Sequence, residues 1–234
     1  MPQSSRSEEK QGRFRYLSLI GGLFVATLLI SNTTAQKPWQ LGQFVFPGGS
    51  IVFPISYIFG DILTEVYGYA RSREIIWTGF IANGLMALTY WIVIKLPPAQ
   101  FWPNQGAFAL TLGQGPRIVL ASFVAYLIGE FANSFVLAKM KIRTQGRHLW
   151  ARTIGSTIVG QGLDTFTFAV VGFIGVWPVK YVLLTGTSLY AFKVLYEIVA
   201  TPVTYVIITF LKKREGIDHY DINTNFSPFL WGRS

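Results

Sequence analysis

Six apolar stretches, near residues 15–34, 51–70, 75–96, 117–138, 153–176 and 186–211, are each long enough to cross a hydrocarbon core about 30 Å thick, which takes ~20 helical residues. A chain of 234 residues that carries all six keeps little sequence for a soluble domain. The fold class expected is therefore an all-α membrane protein of six transmembrane helices. Composition agrees, with 51% apolar and 13% charged residues against about 25% charged in an ordinary soluble domain. The first stretch follows a basic segment at 13–15 and is near the length of a signal-peptide core. Its removal would leave five spans and break the charge pattern described next, so a retained helix is expected.

A net charge of +9 would point to nucleic acid in a soluble protein, but here the cations sort by loop. Four precede the first span, Arg71 and Arg73 follow the second, five lie in 139–152, and Lys212, Lys213, Arg214 and Arg233 close the chain, which is 15 of 20. The other loops hold Lys37, Lys95, Arg117 and Lys180, and Lys193 lies inside the sixth span. That asymmetry places both termini in the cytoplasm, makes the protein multi-pass in the inner membrane, and argues against a nucleic-acid partner. Three regions follow: a tail at 1–14, a membrane domain at 15–212 and a tail at 213–234. Cysteine is absent and the two histidines, His148 and His219, lie far apart in sequence, so no disulfide, zinc-type site or cofactor is expected.

The loops on the side poor in cations are unusual. Residues 36–50 carry Trp39, Phe44 and Phe46 before Pro47-Gly48-Gly49, which suggests a short hairpin or lid, or else an aromatic belt at the interface. Residues 97–116 mix Phe101, Trp102, Phe108 and Leu110 with glycine and proline, as a segment lying along the membrane surface would.

Ionisable groups at membrane depth cost about 2.5–3.5 kcal/mol each on an insertion scale, so they persist when paired, hydrated or functional. There are six: Asp61, Glu65, Glu130, Asp164, Lys193 and Glu197. In the second span Tyr57, Asp61 and Glu65 recur at i, i+4 and i+8, which is one helical face. The fourth span presents Tyr126, Glu130, Asn133 and Ser134; the fifth Gln161, Asp164 and Thr165, with Ser156 and Gly160 as a small-xxx-small pair for close helix approach; the sixth Lys193, Tyr196 and Glu197. Asn32 stands near the outer end of the first. Ion pairing of Lys193 with Glu197, Asp61 or Asp164 would account for part of this; polar stripes on four helices point to a shared cavity. Carboxylates, amides and aromatic rings suit a planar heterocycle with an amidine-like edge, though an amine, amino acid or cation would satisfy the acids nearly as well.

The segments SNTTAQK, FPGGSIVFPISYIFGDILTEVYGYARSRE, ASFVAYLIGEFANSFVLAKMK, STIVGQGLDTFTF and FKVLYE, in this order across about residues 15–212, resemble the queuosine precursor transporter family of vitamin-uptake-like transporters. The resemblance implies import of 7-deazaguanines, the cyano- and aminomethyl-substituted bases that feed queuosine in transfer RNA. It also implies a six-helix fold similar to the substrate-binding subunits of energy-coupling-factor transporters. The positions that match the family's polar residues are Asn32, Asp61, Glu130, Asn133, Gln161, Asp164 and Lys193, with Glu65 and Glu197 matching a subgroup pattern. One departure concerns the first span, where Ala26 is followed by Ile30 and not by a second alanine four residues on, the docking motif of energy-coupling-factor subunits. No GxxxxGK[ST] loop is present, so any ATP would be hydrolysed by another chain. The leading expectation is a secondary or facilitative importer, not an enzyme, acting alone or as a homodimer. The alternatives are a binding subunit of an energised complex or a transporter for another planar base or vitamin. A membrane-embedded enzyme acting on a lipid or quinone lacks a serine–histidine, metal or aspartate-dyad signature, although Asp61 and Asp164 could in principle form a dyad.

Overall fold

The structure is a computed structural model that describes residues 14–35, 37–41, 44–113, 116–175, 178–222 and 224–229. Most of the expected N-terminal tail, Arg13 and Arg233 lie outside the described residues. In chain order the elements are α1 (Leu17–Thr34), a hairpin of β1 (Pro38–Leu41) and β2 (Phe44–Pro47), a 3-10 turn (Gly48–Ile51), α2 (Phe53–Tyr67), α3 (Tyr69–Lys95), the short α4 (Gln105–Leu112), α5 (Pro116–Arg143), α6 (Leu149–Phe173) and α7 (Val179–Glu215).

Among the described residues five helices, α1, α3, α5, α6 and α7, are long and apolar enough to cross a membrane. The second expected span is shorter than its apolar run implied. At 15 residues, α2 is about 22 Å long at 1.5 Å per residue, less than the ~30 Å of a hydrocarbon core. It is nearly all buried, so its surroundings are protein and its length need not match the lipid. The α2–α3 break falls at Gly68, whose φ of 86° suits glycine, and α3 starts six residues before the expected span, taking Arg71 and Arg73 into its first turns.

Polarity is inverted relative to a soluble domain. Leu85, Val199, Val203 and Val206 are exposed, while Asp61, Glu65, Glu130, Asn133, Ser134, Gln161 and Glu197 are buried. Apolar side chains need no shelter from lipid, whereas unsatisfied polar groups do. The hairpin pairs Trp39 with Phe46 across residues 42–43, which lie outside the described residues. Pro47-Gly48-Gly49 instead leads into the 3-10 turn. Phe46 stacks against Phe192 of α7 at 5.0 Å, and Ser31 of α1 donates to the Gly49 carbonyl at 3.0 Å. Residues 97–116, expected along the surface, include α4.

The opposite end is closed by the chain itself. Helix α7 runs three residues past 212, and the segment after it folds back over the bundle. Asp221 accepts from the Tyr69 backbone N–H at 3.1 and 3.0 Å, capping α3 with a carboxylate from the far end of the chain. Arg73 donates to the carbonyls of Asn225 and Ser227, and Trp77 to that of Pro228. A Cβ at position 68 would sit 2.1 Å from the His219 ring, so glycine is also what admits this strap. Burial works against the charge of Asp218, but hydrogen bonds from Lys141 and Lys212 hold its carboxyl below the ordinary 3.8. Burial likewise works against Asp221, which the His219 ring 3.6 Å away and hydrogen bonds from Thr224 and the Tyr69 N–H hold low. Groups depressed in the folded state contribute fully above their unfolded pKa and lose that contribution as pH falls through the folded one. Strap docking should therefore be constant from neutrality down to pH ~4 and weaken below it. Hydrogen-exchange protection of residues 217–222 and 224–229 measured against pH checks this; protection already lost at pH ~6 would show that these two carboxylates do not hold the strap.

Candidate functional site

The face of α2 that carries Tyr57, Asp61 and Glu65 looks toward α5 and α6. Asn133 on α5 donates to Asp61 Oδ1 at 2.7 Å, and the Glu130 carboxylate lies against Gly60, where a Cβ would be 3.1 Å from Oε2. Helices α5 and α6 approach through glycine: a Cβ on Gly160 would fall 2.7 Å from Asn133 Cβ, and one on Gly129 2.6 Å from Asp164 Cβ. Larger residues would push these helices apart and separate the groups they carry. Gln161 is buried beside this contact on α6, and Glu197 is buried on α7.

The resulting cluster is rich in acceptors. The Tyr57 hydroxyl, Asp61 Oδ2, both Glu130 oxygens, Asn133 Oδ1, Gln161 Oε1 and Glu197 Oε1 are buried without a hydrogen-bond partner. Buried polar atoms left unsatisfied are rare because each costs about 1–3 kcal/mol. A cluster of them is suited to a partner that brings N–H or O–H donors.

Toward the hairpin lies a cavity of about 140 Å³ whose wall includes Asn32, Asn83, Phe53, Tyr126, Asp164 and Lys193. Lys193 Nζ donates to Asp164 Oδ2 at 2.7 Å and to Thr165 Oγ1 at 3.2 Å, and sits 4.4 Å from the Phe53 ring centre. Of the partners open to Lys193 from sequence, the structure thus selects Asp164. The lysine is also deeper than the apolar pattern implied: α7 starts at Val179, so Lys193 lies about 21 Å along the helix. Asn32 Nδ2 donates to Asn83 Oδ1 at 3.0 Å, joining α1 to α3 at the cavity wall. Tyr126 lines the cavity and donates to the Ile76 carbonyl at 2.9 Å.

Glu65 is drawn into a different assembly from the other eight candidates. Its Oε1 receives Arg152 Nη2 at 2.8 Å and Lys212 Nζ at 2.6 Å, with Lys141 Nζ at 3.5 Å. Arg152 Nε reaches Oε2 at 3.2 Å. The five acids and one base read from sequence at membrane depth therefore do not stand alone, because Arg152 and Lys141, read from sequence as loop cations, are buried at the ends of α6 and α5.

Asn83 was missed as well. Its signal was an amide in the middle of the apolar run that became α3, a position where a polar side chain needs a partner.

The arrangement can bind a small polar solute between a carboxylate–ammonium pair, carboxamides and aromatic rings, on a bundle built for lipid. Comparison with known proteins agrees with that chemistry. Residues 47–207 match the family described as "Putative vitamin uptake transporter". A Bacillus subtilis (strain 168) protein named "Probable queuosine precursor transporter" is 30% identical over 190 residues, 79% of this chain and 82% of the relative. An Escherichia coli (strain K12) "Queuosine precursor transporter" is 26% identical over 215 residues, 90% and 94% of the two chains. No solved structure matches the chain. With most of its length inside that family match, five helices able to span a membrane and relatives named as transporters rather than enzymes, the chain belongs to the vitamin uptake transporter family and is a multi-pass membrane transporter.

Proposed function

We propose that this transporter imports queuosine precursors, the 7-deazaguanine bases with a cyano or aminomethyl substituent, across the cell's inner membrane. The observation that carries the reading is the cavity under the hairpin, where Asp164, Lys193, Asn32 and Asn83 stand among the rings of Phe53, Phe123, Tyr126 and Phe168. A guanine-like edge presents parallel N–H donors that a carboxylate accepts in pairs, its carbonyl suits an ammonium or amide donor, and its flat face suits the rings. The names of the two relatives support the same substrate class. Asp61, Glu130, Asn133, Gln161 and Glu197 form the deeper part of the path, and their unpartnered acceptors receive the donors of a passing base.

In this reading both termini are cytoplasmic, α2 serves as a sixth, short membrane element, residues 15–212 are the transport domain, and the chain works alone or as a homodimer with no nucleic-acid partner. The test is uptake of labelled 7-cyano-7-deazaguanine by the purified protein in liposomes, with Asp164→Asn and Asp61→Asn. Each change keeps the shape and removes charged acceptor strength. Losing two hydrogen bonds at ~1.5 kcal/mol each predicts a fall of about 100-fold. Near-normal uptake by both variants, at equal protein per liposome, would remove the binding role; no uptake by the unmodified protein alone would favour an energised complex.

A further inference from the structure

Glu65 is one helical turn, about 6 Å, from Asp61 on α2, on the side away from the cavity, and the groups around it come from three other helices. Arg152 reaches it from α6, Lys141 from α5 and Lys212 from α7. The strap completes the assembly. Asp218 Oδ1 accepts from Lys141 at 2.6 Å and lies 2.8 Å from Lys212, while Lys141 Nζ also reaches the carbonyls of Glu65 and His219 at 2.6 Å. Asp221 then pins the strap to the start of α3. Between this assembly and the cavity, α6 presents an unbroken buried polar series: Arg152, Thr153, Ser156, Thr157, Gln161 and Asp164. Thr157 Oγ1, midway along it, has no hydrogen-bond partner. A polar file that runs through a bundle and ends in a plug of ion pairs is what a closed path looks like. Simple helix glue would not require a carboxylate held by three cations from three helices beneath a returning chain end.

We infer that the Glu65 ion cluster and the strap over it form the inner gate of the transport path, shut in this structure, which opens when the ion pairs among Glu65, Lys141, Arg152, Lys212 and Asp218 separate. Because the pairs join α2, α5, α6 and α7, their separation frees all four helices at this end together, while the hairpin end keeps its own contacts. The inference rests on the transport reading above but not on the identity of the solute.

The chain contains no cysteine, so a single Thr157→Cys reports access to the polar file without background. The near-isosteric change is made in the full chain, in membrane vesicles with the chain termini facing outward, and a membrane-impermeant maleimide is added from that side. Labelling should be slow in the otherwise unmodified protein and rise at least about tenfold when Asp218→Asn and Asp221→Asn are introduced together, as a shift of the closed population implies. Leu28→Cys, in the apolar core, should stay unlabelled in both backgrounds. Addition of 7-cyano-7-deazaguanine should change Thr157→Cys labelling if that base is the solute. A rise caused by the aspartate changes with no response to the base supports the gate and counts against the substrate. Unchanged labelling at Thr157→Cys overturns the gate, and so does an equal rise at Leu28→Cys, which would show general loosening of the fold.

Discussion

Glu65→Gln should lower the melting temperature of the purified protein by about 10 °C or more. The carboxylate is fully buried and neutralises Arg152 and Lys141, themselves almost wholly buried, together with the more exposed Lys212. Glutamine keeps the shape and one acceptor but leaves the cations without a counter-charge. Removing one partner of a buried ion pair typically costs ~3–5 kcal/mol, and at 2–4 °C per kcal/mol for a chain of this size the shift follows. Asp218 is half exposed and accepts from two of the same cations, so it screens part of the loss. Asp218→Asn alone should therefore have a much smaller effect. Differential scanning of the two variants in the same detergent is the measurement. A Glu65→Gln protein that melts within ~2 °C of the unmodified one would mean that water reaches the cluster, and the path would then have no seal at that end.

Lys193→Met should destabilise or inactivate the protein far more than Lys180→Met. Lys193 is paired with Asp164 at 2.7 Å, with both side chains about nine-tenths buried; Lys180 is exposed at the start of α7. Methionine preserves length and apolar bulk, so what is removed is the charge, and the stranded Asp164 carboxylate accounts for a loss on the order of 3 kcal/mol. The cavity beside the pair admits some relief by hydration, which is why the lower end of the range applies. Neutralising Asp164 as well should recover much of the stability and none of the uptake, because the same carboxylate is proposed to hold the solute. Neutralising Asp61 in the Lys193→Met background should recover nothing. Thermal melting of these combinations, with liposome uptake measured in parallel, distinguishes the outcomes. Equal melting of Lys193→Met and the unmodified protein would show the lysine to be solvated, and the cavity would then be wider than its walls indicate.

The acids buried in the bundle were legible from their positions in the chain, because a carboxylate inside an apolar run has no cheap place to go and the helical period says which of them share a face. Tyr57, Asp61 and Glu65 do share one, as do Glu130 and Asn133, and the small residue at 160 does bring two helices together. Loop charge and apolar length likewise suffice for a multi-pass helical protein, since lipid leaves few alternatives for the backbone. Partners are another matter. Periodicity is blind to depth, so nothing local distinguishes Glu65, clamped by three cations, from Asp61 one turn away, which meets a neutral amide. Counting cations by loop assigned Lys141 and Arg152 to water, whereas long side chains and helices extending past their apolar runs carry those charges back inside. The same extension moved Lys193 from the second turn of its helix to the fourth and set it against Asp164. The strap is the extreme case: Asp218 and Asp221 read as tail residues, and only the return of the chain end onto α2, α3 and α5 makes them part of a seal. Apolar pattern is a property of each segment and its solvent, but a charge takes its meaning from whatever the fold places within a few ångströms of it.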